Sequence, residues 1–179
     1  MPPLPAYELH DALSLDRPVL RGLRDDFDCS STIVTEYVSH RLTQNVRDKA
    51  CSAFLAVTPQ GSIRTASRIA GFFTLSPTSI DRQSADDWKR AHQQKLPLPY
   101  GEVGAYKLGW FARHRAYPEF STTLFGEVLL TLERQPISAQ LLVLDLAEPH
   151  VLRPRRFFEN QGFRTLPNSP QQRTMLLRL

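Results

Sequence analysis

A mixed α and β domain, with helices on the faces of its sheet, is what this sequence predicts. Three observations carry that expectation. Two stretches place apolar residues at the three-to-four spacing of a helix face. Short apolar runs closed by proline, glycine or serine punctuate the rest. The two kinds follow one another in the order β, α, β, β, long connection, β, α, β, α, β. At 179 residues the chain is long enough for one core that buries roughly 70% of its unfolded surface, so residues 1–179 read as a single domain.

The first strand is expected within Tyr7 to Leu15. Between Phe27 and Ala50, Ile33, Val34, Tyr37, Val38, Leu42 and Val46 share one helical face, with Ser30 or Ser31 able to cap the start. Cys51 to Thr58, closed by Pro59, Gln60 and Gly61, and Arg68 to Leu75, closed by Ser76 and Pro77, read as an antiparallel pair of strands. Asp81 to Pro99 is mostly polar or proline, which predicts an exposed connection able to contain a helical turn. Val103 to Ala112 reads as the fourth strand. Leu124, Phe125, Val128, Leu129 and Leu132 mark a second amphipathic helix, and Gln140 to Leu146 a largely apolar strand. A short helix starts near Pro154 and stops at Gly162, and Arg173 to Leu177 closes the chain as a strand.

Composition excludes several classes. With 41% hydrophobic and 22% charged residues, neither disorder nor a repeat array is indicated. The apolar runs are far short of the roughly 20 residues that span a bilayer, and Met1 to Leu9 has no basic region followed by an apolar stretch. The expected location is therefore the cytoplasm, without membrane contact, and Cys29 and Cys51 read as buried thiols. His10, His40, His92, His114 and His150 show no metal-ligand spacing, so no metal is inferred. A formal charge of +4 suits an anionic partner. The tightest basic clusters are Arg153, Arg155 and Arg156, then Arg113, His114 and Arg115; for each, solvated surface and an anion site are equal readings.

Four strings, in order, extend the reading. Phe27-Asp28-Cys29 precedes the first helix, Gly71-Phe72-Phe73-Thr74-Leu75-Ser76 forms the third strand, Leu108-Gly109-Trp110-Phe111-Ala112 the fourth, and Phe157-Phe158-Glu159-Asn160-Gln161-Gly162-Phe163 a late helix and turn. These resemble the FDCG, GYYxLS, LGRLAV and FYExxGF strings of the GNAT N-acetyltransferases, in the branch of bacterial toxins paired with a small DNA-binding antitoxin. The resemblance implies one GNAT-like α/β (α+β) domain with a mixed, mostly antiparallel, twisted sheet and helices on both faces. It implies acetyl-CoA as cofactor, transfer of an acetyl group to a primary amine such as that of an aminoacyl-tRNA, an antitoxin partner, and a homodimer as an assembly.

Acetyl transfer from a thioester needs a phosphate cradle, an oxyanion donor, a neutral amine and a proton for the leaving thiolate. The resemblance places the donor at a backbone N–H near Phe111 or Ala112. It places the cradle, a QxxGxG turn in the family, at Tyr117-Pro118-Glu119-Phe120-Ser121-Thr122-Thr123, where neither glycine is present. Pro118 removes one N–H. A Glu119 carboxylate about 5 Å from a phosphate charge would cost roughly 3 kcal/mol at an effective dielectric of 20. Ser121, Thr122 and Thr123 suit the start of a helix, where they would cap it or bind an anion, capping being favoured two to one.

The family's acid is the tyrosine of FYExxGF, and Phe158 at that position has no proton to give. Tyr117, Ser121 or a water would substitute. For Phe157 and Phe158 core packing is the plain alternative, more firmly for Phe157. Among Glu36, Glu102, Glu127 and Asp145, Glu102 is preferred as acceptor of the amine proton because it precedes the fourth strand. Trp110 stands where the toxin branch has arginine, which weakens the transfer-RNA reading in particular. An active acyl-CoA-dependent N-acyltransferase is thus the first reading. A degenerate GNAT-fold binding or regulatory protein is the second, and a nucleic-acid-binding protein without CoA the third.

Overall fold

The computed structural model describes residues 6–59, 67–94, 101–135, 139–146, 152–167, 169 and 173–179. They form a seven-stranded sheet in the order β1-β2-β3-β4-β5-β7-β6. The strands are β1 (Glu8–Asp11), β2 (Ser52–Thr58), β3 (Arg68–Ile80), β4 (Val103–Arg113), β5 (Leu141–Asp145), β6 (Arg164–Thr165) and β7 (Thr174–Arg178). Pairing is parallel between β4 and β5 and antiparallel for β1 with β2, β2 with β3, β5 with β7, and β6 with β7. The chain divides into two compact units, Met1–Leu75 with Trp110–Gln135, and Ser76–Gly109 with Pro136–Leu179.

In the first unit, α1 (Arg17–Asp25) is followed by α2 (Thr32–Glu36), a π-helical turn (Tyr37–Arg41) and α3 (Leu42–Arg47). The Ser31 side chain caps α2 by accepting from the Val34 N–H, which decides between the two serines. Leu20, Leu23, Val38, Leu42 and Val46 from these helices bury against Leu55, Ile69 and Phe72. Adjacent strand residues point to opposite faces. Gly71 therefore serves the other face, where α5 (Phe120–Glu133) lies so close that a Cβ on Gly71 would meet Leu124 Cδ2 at 2.9 Å and Phe120 Cδ1 at 3.2 Å. Helices thus cover both faces, as expected.

In the second unit α4 (Arg82–Ala91) replaces the expected exposed connection. Its polar sequence hid it: only Ala85 and Trp88 turn inward, to Val103, Ala105, Leu141, Val143 and Leu176. Asp81 caps it by accepting from the Ser84 N–H at 2.9 Å, and the buried Trp88 indole donates to the Arg164 carbonyl at 3.2 Å. The proline-rich end of that connection, 95–100, lies outside the described residues, as do Gln60, Gly61 and His150. A second correction concerns Pro77. It does not end β3, because β2 pairing stops at Leu75 and no ladder bond to β2 is required of it. The late helix α6 (Leu152–Asn160) ends as predicted, with Gly162 at φ +95. Neither cysteine is fully buried: Cys29 Sγ donates to the Ser31 carbonyl, and Cys51 Sγ lies 3.8 Å from the Tyr37 hydroxyl, both as free thiols. Among the described residues no helix is long and apolar enough to cross a membrane.

Candidate active site

The residues that the family resemblance assigns to acetyl transfer fall on both units, and each set has its own local geometry. In the first unit, the end of β4 runs into the turn that starts α5. The Trp110 N–H donates to Thr74 Oγ1 at 2.8 Å, and the His114 N–H to the Ala70 carbonyl at 2.8 Å, so this register turns toward β3. Alternation puts the Ala112 N–H on that same side and the Phe111 N–H on the opposite edge. Trp110 is not offered to a substrate as a free side chain: its indole stacks on Tyr37 of the π-helical turn, with centroids 4.4 Å apart and planes at 22°. Burial pushes the Tyr37 phenol up to about 12, so it stays neutral.

His114 organises the turn. Instead of joining a basic surface with Arg113 and Arg115, as one reading of the sequence has it, it is buried at 6% exposure. Its Nδ1 accepts the Ala116 N–H at 3.1 Å, its carbonyl accepts the Tyr117 N–H at 3.0 Å, and its ring lies edge-on to Phe27 at 6.0 Å. Accepting at Nδ1 requires that ring nitrogen to be unprotonated. Arg115 pairs with Asp28 at 2.8 Å.

The turn then hands over to α5 through Phe120 N–H to the Tyr117 carbonyl at 3.1 Å. The residue at the cap position is Glu119, exposed and making no side-chain capping bond. Ser121, Thr122 and Thr123 follow inside the first turn, so the favoured capping role is not theirs. Nearby, Tyr7 donates to Glu127 Oε1 at 2.7 Å and lies edge-on to Phe120 at 5.0 Å; burial and then Glu127 raise its hydroxyl to about 12.

In the second unit, β5 pairing with β4 runs from Ala105↔Leu141 to Leu108↔Leu144, whereas β4 itself continues to Arg113. Phe158 on α6 is buried at 5% exposure, edge-on to Phe157 at 5.1 Å and to Phe163 at 5.4 Å. Phe157 is only partly buried, the reverse of the expected ranking. Glu102 is exposed and accepts from the Ser79 hydroxyl at 2.6 Å. Asp145 is committed to Lys107 at 2.7 Å and to the Thr174 hydroxyl; these outweigh its burial and hold its carboxyl below the ordinary value. Arg155 pairs with Glu159 at 3.0 Å and donates to Thr165 Oγ1, so this arginine supports the fold of α6.

Solved structures share this fold. AtaT complexed with acetyl-methionyl-tRNAfMet superposes with TM-score 0.75 at 15% identity, covering 97% of this chain and 95% of that one. The chain has the fold of the GNAT toxins AtaT and KacT. A tyrosine-to-phenylalanine mutant of KacT gives TM-score 0.71 at 17% identity over 96% and 94% of the two chains. A structure described as a bacterial toxin gives 0.69 at 21% over 98% and 92%. No protein-family model matches the chain, and no curated protein matches its sequence. The GNAT expectation drawn from four short strings is therefore the observed architecture, at a sequence identity too low to carry activity with it.

Three features of the first unit escaped the sequence reading. Helix α1 was hidden by Gly22 and by the proline beside its start, although Arg17, Arg21 and Arg24 already showed helical spacing. The close approach at Gly71 left its trace only as a glycine within a strand. The role of His114 left none.

Proposed function

We propose that this chain is an acyl-CoA-dependent N-acyltransferase, working as one domain in the cytoplasm, that moves an acetyl group to a primary amine. The observation that carries the reading is the start of α5. A fourteen-residue helix begins there with no side chain bonded across its N-terminus, in a fold whose solved examples include complexes with acetyl-CoA. The Phe120 N–H is taken by the Tyr117 carbonyl, and the N–H groups that follow it in the first turn, with the positive end of a helix, suit a pyrophosphate. The hydroxyls of Ser121, Thr122 and Thr123 stand beside them. The exposure of Glu119 leaves it able to swing toward water, which reduces the repulsion that its sequence position suggests.

Bound acetyl-CoA would supply the acetyl group as a thioester. In this reading the Phe111 N–H, favoured over Ala112 by strand alternation, stabilises the oxyanion formed when the amine attacks the thioester carbon. Glu102 accepts the amine proton. Tyr117 or Ser121 returns a proton to the departing thiolate, the role that Phe158 has lost. An aminoacyl-tRNA amine is the acceptor we favour, and an antitoxin and a second copy of the chain the partners, since AtaT is solved with acetyl-methionyl-tRNAfMet and with the C-terminus of the antitoxin AtaR.

One observation favours the second reading, a GNAT-fold binding or regulatory protein. Phe158 is enclosed by aromatic rings, and AtaT and KacT have each been solved as tyrosine-to-phenylalanine mutants, the same change of side chain that separates Phe158 from the family motif. Thermal unfolding with and without acetyl-CoA tests the first reading at its binding step. A ligand at about one hundred times its dissociation constant adds about 2.7 kcal/mol, which here is a rise of roughly 5 to 11 degrees. That rise is expected; its absence at millimolar acetyl-CoA would sink the transferase reading.

A further inference from the structure

The first unit holds a cleft of about 510 Å³ walled by α1 on one side and by the π-helical turn and α3 on the other. Its chemistry is one-sided. Arg17, Arg21 and Arg24 face it from α1, spaced four and three residues apart so that one helix face carries all three, and Arg47 and His40 face it from the opposite wall. The single carboxylate in the lining is Asp25, and among the described residues none of the four arginines forms an ion pair. Arginines that do pair lie elsewhere among the described residues, as Arg68 with Asp26 at 2.7 Å and Arg115 with Asp28 at 2.8 Å.

Arg24 gives the second, independent observation. Its Nη1 donates to Thr43 Oγ1 at 2.7 Å, which holds the guanidinium across the cleft. Its Nε is buried and finds no acceptor among the described residues. The guanidinium is thereby held as a fixed positive charge on the cleft wall, and its Nη2, not the sealed Nε, is the donor left to meet an anion there.

We infer that this cleft binds the phosphate backbone of an RNA. Arginine forks, together with the hydroxyl and amide groups of Ser39, Thr43 and Gln44, are the donor set that phosphates take. A protein segment is the weaker fit, because Leu20 is the only apolar residue in the lining, and peptides that lie in grooves are held by several apolar anchors. The inference deepens the transferase reading and rests on it for the kind of RNA, since the amine acceptor favoured there is carried on a transfer RNA.

The test uses the whole protein and a labelled transfer RNA transcript without an amino acid, titrated by fluorescence anisotropy over a range of salt, with no acyl donor present. Arg17, Arg21 and Arg47 are exposed, so Arg17→Gln/Arg21→Gln/Arg47→Gln removes charge and leaves the core untouched. The expected result is a slope of log affinity against log salt shallower by about two to three, and by about one for Arg21→Gln alone. An unchanged slope in the triple variant, with its unfolding midpoint preserved, overturns the proposal. If instead a labelled acidic peptide loses binding to the triple variant while the RNA does not, the cleft belongs to a protein partner and the proposal is equally overturned. Failure here leaves the acetyl-CoA thermal shift intact, whereas failure of the transferase reading shows in that shift and not in the RNA titration.

Discussion

The turn into α5 and the aromatic end of α6 have each lost the motif that resemblance assigns to them, and they have lost it differently. At the turn, the missing glycines are replaced by a new scaffold. His114 is buried and bonded to the backbone on both sides of itself, and the helix it leads into keeps its N-terminus clear of side-chain caps. At α6, the missing tyrosine hydroxyl is not replaced. Phe158 is closed in by Phe157 and Phe163, and the space serves the core. If the turn binds acetyl-CoA as proposed, it does so through backbone groups, which survive a change of side chains, whereas an acid is lost with its proton.

The contrast can be broken by substitution. The largest effect is expected from Phe158→Ala, which empties a buried aromatic site and should cost about 4 kcal/mol in chemical denaturation; a cost under about 1 kcal/mol would show that Phe158 is not part of the core. Next is Phe158→Tyr, which restores the proton donor. If the transferase reading holds, acetyl transfer should rise by about 10²-fold, measured as product per unit time at saturating acetyl-CoA. An unchanged rate in a folded variant would mean that Tyr117, Ser121 or water already does the work. The smallest is Gly71→Ala, whose Cβ would stand 2.9 Å from Leu124 and 3.1 Å from the Ala112 carbonyl. Overpacking there should cost about 2 kcal/mol and weaken the acetyl-CoA shift, because Phe120 at the start of α5 must move with Leu124.

How much of this was legible in the sequence depends on what each residue answers to. The helix capped by Ser31, the strand pairing of Ser52–Thr58 and the stop at Gly162 follow from periodicity and local chemistry, and were read directly. Helix α4 was not, because it has only two buried side chains and draws the rest of its stability from its Asp81 cap and from pairs such as Arg82 with Asp86 at 2.8 Å. The length of β3 past Pro77 depends on where its neighbour ends, which no local signal reports. In the candidate site, Phe158 and the altered turn were visible as departures from a motif. The burial of His114 was hidden, since its partners Ala70, Ala116 and Phe27 are spread along the chain, and its neighbours Arg113 and Arg115 advertised a surface.

The empty side chain of Gly71 bears on how this chain can vary. The position of α5 is set from below, where β3 offers no Cβ and Leu124 and Phe120 settle against bare backbone. The turn above is therefore relieved of placing the helix. It can exchange glycine for proline and glutamate, or be respelled again, while the helix start stays where it is. Relatives of this chain should accordingly be recognised by a glycine in the third strand more dependably than by any sequence in the loop.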